Sequence, residues 1–111
     1  MVKCEPEHVF AALSAPVRYA MVERLVAMGS LSMSEMAKTF DISLPAALKH
    51  TQVLEQSGVI TRTKIGRVHY CIINMEAFEN MSLWLLEQRR IWESSFNRLE
   101  KHIMSKRVHK K

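Results

Sequence analysis

The chain is short of what most competing architectures require. Its 111 residues include only two cysteines, Cys4 and Cys71, which lie far apart and form no CxxC unit. That excludes a disulfide framework. Glycine and proline number three each, too few for a turn-rich β-sandwich or a flexible linker. Aromatic residues make up 7%. No apolar run approaches the roughly 18 residues of a membrane span, so no membrane partner is expected. The first twenty residues carry Glu5, Glu7 and His8 and lack the apolar centre of a signal peptide, so a cytoplasmic location is expected. GxSxG, P-loop, GxGxxG and HExxH motifs are all missing, and Ser94 and Ser95 have no matched base. Catalysis is therefore not expected.

What is present fits one globular domain. Apolar residues make up 48% and charged residues 24%, close to the globular average. The net charge is +5, and it is unevenly placed. Five of the sixteen Lys and Arg, and none of the eleven acids, lie in residues 101–111, so the body is neutral. A basic tail over 105–111 fits nucleic acid, although a solvated chain end has the same composition.

Helical and strand periods alternate along the chain. A first helix is expected over about 6–13, with Val9, Phe10 and Leu13 apolar. Ser14-Ala15-Pro16 breaks it, and proline suits an early helical position. A second helix runs from about Pro16 to Met28, with Ala20, Met21, Leu25 and Met28 at helical spacing and Gly29 beyond its end. Ser32 and Glu35 have capping-box spacing for a third helix, whose buried side reads as Met33, Met36, Ala37 and Phe40. After Asp41-Ile42, Ser43 caps a fourth helix that continues to about Gln56, with Ala47, Leu48, Thr51 and Leu54 as its apolar positions. Val59–Ile65 and Val68–Ile73 are rich in β-branched residues around Gly66-Arg67, the pattern of a β-hairpin. A last helix over about 75–104 carries Phe78, Met81, Leu85, Trp92, Phe96, Leu99 and Ile103 at intervals of three, four or seven, widened by Trp84, Leu86 and Ile91.

Two short helices joined by a tight turn, then a basic hairpin, form a helix-turn-helix with a wing. Such a fourth helix fits the major groove while the third props it. Its middle offers Lys49, His50 and Gln52 as donors. The hairpin carries Arg62, Lys64 and Arg67, with His69 nearby, and Arg62 and Lys64 are expected to act mainly on phosphates. Taken singly, these features are also those of any solvated helix face or charged edge strand. Their order within about forty residues is what points to double-stranded DNA.

On these residues the chain resembles ArsR-type winged helix-turn-helix transcriptional regulators. The matching strings are ALSAPVRYAMVERL, SMSEMAKTFDISLPAALKHTQVLEQSGVI and TRTKIGRVHYCI, followed by WLLEQRRIWESSFNRLEKHI in the last helix. SLPAALKHTQVLEQSG is the most specific of them. The resemblance covers nearly all of residues 6–104. It implies a mostly α fold with a two-stranded β-wing, and a homodimer built on the first and last helices. In the family the fourth helix is the recognition helix. The resemblance places Ser43, Leu44 and Pro45 at its groove-facing start and matches Lys49-His50 to a basic-residue–His pair. Gln52 stands where Lys or Arg is common, Leu48 where many members have Ser, and Thr51 where most have Leu.

The metal sites of the family do not carry over. A Cys-x-Cys pair on the third helix corresponds to Ser32 and Ser34, and hydroxyls are poor soft-metal ligands. A carboxylate and histidine site on the last helices corresponds to Asn74, Glu76, Glu87 and Arg90, which keeps no histidine. Cys4 and His8 have i, i+4 spacing, but Pro6 lies between them. No metal and no cofactor are expected, and the effector is not legible.

The function expected is a sequence-specific DNA-binding regulator, a repressor, acting as a homodimer on an imperfect palindrome. The alternative is a winged-helix interaction module without specific DNA binding, and the basic wing favours the former. The dimer surface expected comprises Val9, Phe10 and Leu13 with Phe78, Met81, Leu85, Trp92, Phe96 and Leu99. An apolar stripe on a helix of roughly 45 Å is longer than a small winged domain can cover, and a monomer would leave it bare.

Overall fold

Local side-chain chemistry sets most of the element boundaries. The computed structural model describes the backbone of residues 5–109 and the side chains through residue 106. Cys4, Lys110, Lys111 and the side chains of the tail beyond Lys106 lie outside the described residues. The element order is α1 (Pro6–Leu13), α2 (Pro16–Met28), β1 (Ser30–Ser32), α3 (Met33–Thr39), α4 (Leu44–Gln56), β2 (Ile60–Ile65), β3 (Val68–Ile73) and α5 (Met75–His109). The three strands form one antiparallel sheet in the order β1-β3-β2. This is a winged helix-turn-helix, mostly helical as expected, with one strand more than the hairpin. Three residues are too few for β1 to show a period in the sequence.

Each helix start has a physical cause. Pro6 and Pro16 occupy the first turns of α1 and α2, each after an extended residue, since proline lacks the N–H that a first turn leaves unbonded. Ser32 and Glu35 form the capping box of α3. The Ser32 hydroxyl accepts from the Glu35 N–H at 3.1 Å, and the Glu35 carboxylate accepts from the Ser32 N–H at 3.0 Å. Those hydrogen bonds hold the Glu35 carboxyl below the usual carboxylate range. Ser43 caps α4 by accepting from the Ala46 N–H at 3.2 Å.

The turn of the helix-turn-helix is a Schellman motif. The Ile42 N–H donates to the Ala37 carbonyl at 3.0 Å and the Asp41 N–H to the Lys38 carbonyl at 3.3 Å. Asp41 takes the left-handed position, with φ of 51°, which aspartate tolerates better than most residues. The same motif closes α4. Val59 donates to Leu54 and Gly58 to Glu55, with Gly58 at φ 89°. Both ends of this helix pair are therefore fixed by backbone bonds.

Two units are distinct, one through Met81 and one from Ser82. The core of the first is built from Met21, Leu25, Met36, Leu54, Val59, Ile60 and Cys71, all buried. On α2 the buried side is Met21, Val22 and Leu25, while Met28 is exposed. The sequence period had placed Met28 inside and passed over Val22. Val9 belongs to this core as well, packed beneath α1 rather than on its outer side. Thr51 is wholly buried where the resemblance implied leucine. Its hydroxyl donates back to the Ala47 carbonyl at 2.9 Å, so the buried oxygen is satisfied within its own helix. Burial pushes the Cys71 thiol above its ordinary pKa, as befits a small core residue.

Residues from Ser82 onward form a single helix, α5 continuing to His109 rather than ending near Met104. No Gly or Pro follows Met104 to stop it. Arg89 pairs with Glu93 at 2.9 Å and Arg90 with Glu87 at 2.6 Å, and Trp92 stacks on Phe96 with ring centroids 5.2 Å apart.

Candidate nucleic-acid interface

The helical period sorts α4 into two faces. Ala47, Thr51 and Leu54 are buried, whereas Ser43, Leu44, Pro45, Leu48, Lys49 and Gln52 are exposed. Leu48, an apolar position of the sequence pattern, thus joins the outer face. His50 is half-buried at the margin between the two. The exposed face combines a cation, an amide and two leucines. Lys49 and Gln52 can donate to phosphates or base edges, and Leu44 and Leu48 can meet thymine methyl groups.

The wing turns tightly at Gly66-Arg67, where Ile65 pairs with Val68. Gly66 has φ of 65° and Arg67 is not in the positive region, the pattern of a type II′ turn. Strand alternation then assigns the faces. Ile60, Arg62 and Lys64 share one side, opposite Ile73, Cys71 and His69. Ile60 and Cys71 are buried, so this is the side that turns inward. Of the wing residues expected to meet DNA, Lys64 and Arg67 are exposed, as is His69. Arg62 is different. Its side chain is only 20% exposed, and its guanidinium meets the Glu55 carboxylate at 3.3 Å.

Between α4 and the wing lies a cleft of about 380 Å³, lined by Met33, Leu44, Leu48, Arg62, Arg67 and His69 among others. The structure therefore brings the start of α4 and the wing cations to one side of the domain. The α4 start supplies positive helix-dipole charge to the same region.

The residues expected at a dimer surface divide by unit. Phe10 is exposed on α1, and Leu13, Phe78 and Met81 are partly buried against the core. In the second unit Leu85, Trp92, Phe96, Leu99 and Ile103 are all exposed. Tyr19 and Val26 of α2 are also exposed, beside Leu13 and Phe78 in an apolar depression of about 320 Å³. The sequence reading passed over both, although their i, i+7 spacing on α2 was the available signal.

The positions of the family's metal sites are engaged otherwise. Ser32 caps α3, the Asn74 amide donates to the Gly58 carbonyl at 2.9 Å, and Glu87 is paired with Arg90. Glu5, Glu7 and His8 bring ligand atoms within 4.8 Å of one another at the start of α1. Both acids pair with the histidine there, as exposed groups often do without an ion. No helix of the described residues is long and apolar enough to cross a membrane.

Comparison with known proteins follows the same lines. No family model matches the chain. The transcriptional repressor SdpR of Bacillus subtilis (strain 168) is 29% identical over 79 residues, which cover 71% of this chain and 87% of SdpR. The solution structure of a homodimeric winged helix-turn-helix DNA-binding domain from Mycobacterium bovis shares the fold, with a TM-score of 0.61 at 20% identity over 75% of this chain and 77% of that one. The crystal structure of an ArsR family transcriptional regulator aligns with a TM-score of 0.70 and 43% identity, over 85% of this chain and 98% of the other. With that identity over nearly the whole of a family member, the chain belongs to the ArsR family of winged helix-turn-helix transcriptional regulators.

Proposed function

We propose that this regulator is a repressor that binds an imperfect palindrome in double-stranded DNA as a homodimer. The observation that carries the reading is the exposed face of α4, with Lys49 and Gln52, together with the exposed wing cations Lys64 and Arg67. Ser43, Leu44 and Pro45 enter the groove first, Lys49 and His50 take backbone or base-edge contacts, and Gln52 reads a base. A glutamine amide pairs bidentately with adenine, worth roughly 1–3 kcal/mol of discrimination. Lys64 and Arg67 contact phosphates.

Two observations support the dimer. The exposed Leu85, Trp92, Phe96, Leu99 and Ile103 recur at helical spacing on α5, and a stripe of that size exceeds what monomers usually leave bare. The Mycobacterium bovis domain of the same fold is homodimeric. A two-fold axis through α5 would set two recognition helices about 34 Å apart, one DNA turn, so the operator is palindromic. Repression is the activity named for SdpR. A cytoplasmic location follows from a DNA partner.

The test is fluorescence anisotropy of the purified chain on random duplex at low salt, followed by selection of bound sites from a random library. An enriched palindrome with half-sites one turn apart is the expected result. Absence of binding to any duplex would favour the interaction-module reading, for which the exposed Leu44 and Leu48 on α4 are the one feature in favour.

A further inference from the structure

Arg62 is the wing cation that does not behave like the others. Lys64 and Arg67 are exposed and form no ion pair among the described residues. Arg62 leaves β2 on the face shared with the buried Ile60, directly opposite the buried Cys71. Its terminal nitrogen meets Glu55 at 3.3 Å, with the arginine side chain 20% exposed and the glutamate 37%. Its Nε is shut off from solvent and has no acceptor. A guanidinium held this way is committed to the domain. Reaching a phosphate would require it to abandon Glu55 and leave that carboxylate facing DNA.

The pair also has a telling place in the fold. Glu55 lies in the last turn of α4, one turn beyond Gln52, and Arg62 is the third residue of β2. It joins the end of the recognition helix to the wing strand, and Arg62 also lines the cleft between them. Buried Leu54, Val59 and Ile60 pack the end of α4 against the start of β2, and the partly exposed ion pair adds a directional tie beside that contact. The backbone link between them, Ser57–Val59, is fixed by its own Schellman bonds, and β3 is held by β1 from Tyr70 to Ile72, so Arg62 sits near the base of the hairpin tip that β1 does not flank.

We propose that Glu55 and Arg62 form a strut that sets the angle of the wing to the recognition helix, with Arg62 a positioning residue and not a phosphate contact. The proposal rests on the reading of α4 and the wing as the DNA-contacting elements. It has a consequence opposite in sign to simple electrostatics. On charge alone, removing the negative Glu55 would tighten binding to DNA. Removing the strut should weaken it.

The experiment measures anisotropy on the selected operator and on random duplex across a NaCl series, for the full chain and its variants. Wild type comes first, and failure to bind either duplex refutes the DNA-binding reading itself. With wild-type binding in hand, Glu55→Gln is expected to bind the operator about tenfold more weakly with the salt slope unchanged, a loss within the usual range for coupled pairs. Arg62→Gln is expected to do the same, whereas loss of a phosphate contact would lower the slope by about 0.9. The reversed pair Glu55→Arg with Arg62→Glu should recover most of what either reversal alone loses. Thermal melts confirm folding, and the isosteric change at the more exposed Glu55 supplies the decisive arm if an Arg62 variant melts early. Tighter binding by Glu55→Gln, a reduced slope for Arg62→Gln, or no recovery in the reversed pair would overturn the strut.

Discussion

Replacing Trp92 by alanine tests the dimer at the more exposed of the two tryptophans of α5. Trp92 is 63% exposed. A large aromatic side chain carries roughly 150–250 Å² of surface, so about 150 Å² of it faces water. Burial at ~25 cal/mol per Å² would contribute about 4 kcal/mol per protomer. Alanine retains part of that area and an interface leaves part of it wet, which reduces the loss to about 2 kcal/mol. A two-fold axis counts it twice, giving about 4 kcal/mol per dimer and a dimer Kd raised about 1000-fold. Trp92 is not among the core residues of the first unit, so any fall in melting temperature should track loss of the dimer and depend on protein concentration. Sedimentation velocity over a micromolar concentration series is the assay. Wild type should sediment well above the 12.8 kDa of one chain and Trp92→Ala near it. A wild-type mass of one chain, or equal dimer Kd values for the two proteins, would refute the argument. Trp92→Asp, which adds a charge to the same surface, should go further and abolish operator binding although no DNA-facing residue is altered.

The remaining predictions concern single groups. Gln52→Ala should relax specificity at one operator position and spare affinity for random duplex, whereas Lys49→Ala should weaken both about equally and lower the salt slope by about one unit; a site-selection profile with salt titrations separates them. Ser32→Ala removes the acceptor for the Glu35 N–H and should cost about 1 kcal/mol of stability, read as a shift in denaturant midpoint. The Glu35 carboxyl is held below its usual range first by the Ser32 backbone N–H, so that bond's contribution is complete at neutral pH and is lost as pH falls through the lowered value; a wild-type and Glu35→Ala stability difference that stays constant into acid would contradict it. The Cys71 thiol is raised by burial, so the folded state keeps its proton where the unfolded chain releases it. Stability should therefore decline as pH rises past the ordinary thiol value, and Cys71→Ala should flatten that decline. Native Cys71 should also react with a thiol reagent far more slowly than in denaturant.

Much of this protein is written locally. The four caps and breaks at Pro6, Pro16, Ser32 and Ser43 act through bonds within a few residues of themselves, so the element boundaries from α1 to α4 could be read without any tertiary information. The hairpin register was legible for the same reason, since a two-residue turn leaves only one pairing. Three features were not. Strand β1 exists because β3 offers it a partner some forty residues away, and its three residues carry no period of their own. The buried faces depend on what lies opposite them, which is why Val22 turns in and Met28 out on α2, and why Leu48 joins the groove side of α4 while Thr51 is enclosed. Arg62 shows the limit most clearly. Composition counts it as one more wing cation beside Lys64 and Arg67. Strand alternation and the neighbouring carboxylate of Glu55 turn it into the domain instead, because a charge two residues from the buried Ile60 and across from the buried Cys71 has to find its counter-charge inside the fold.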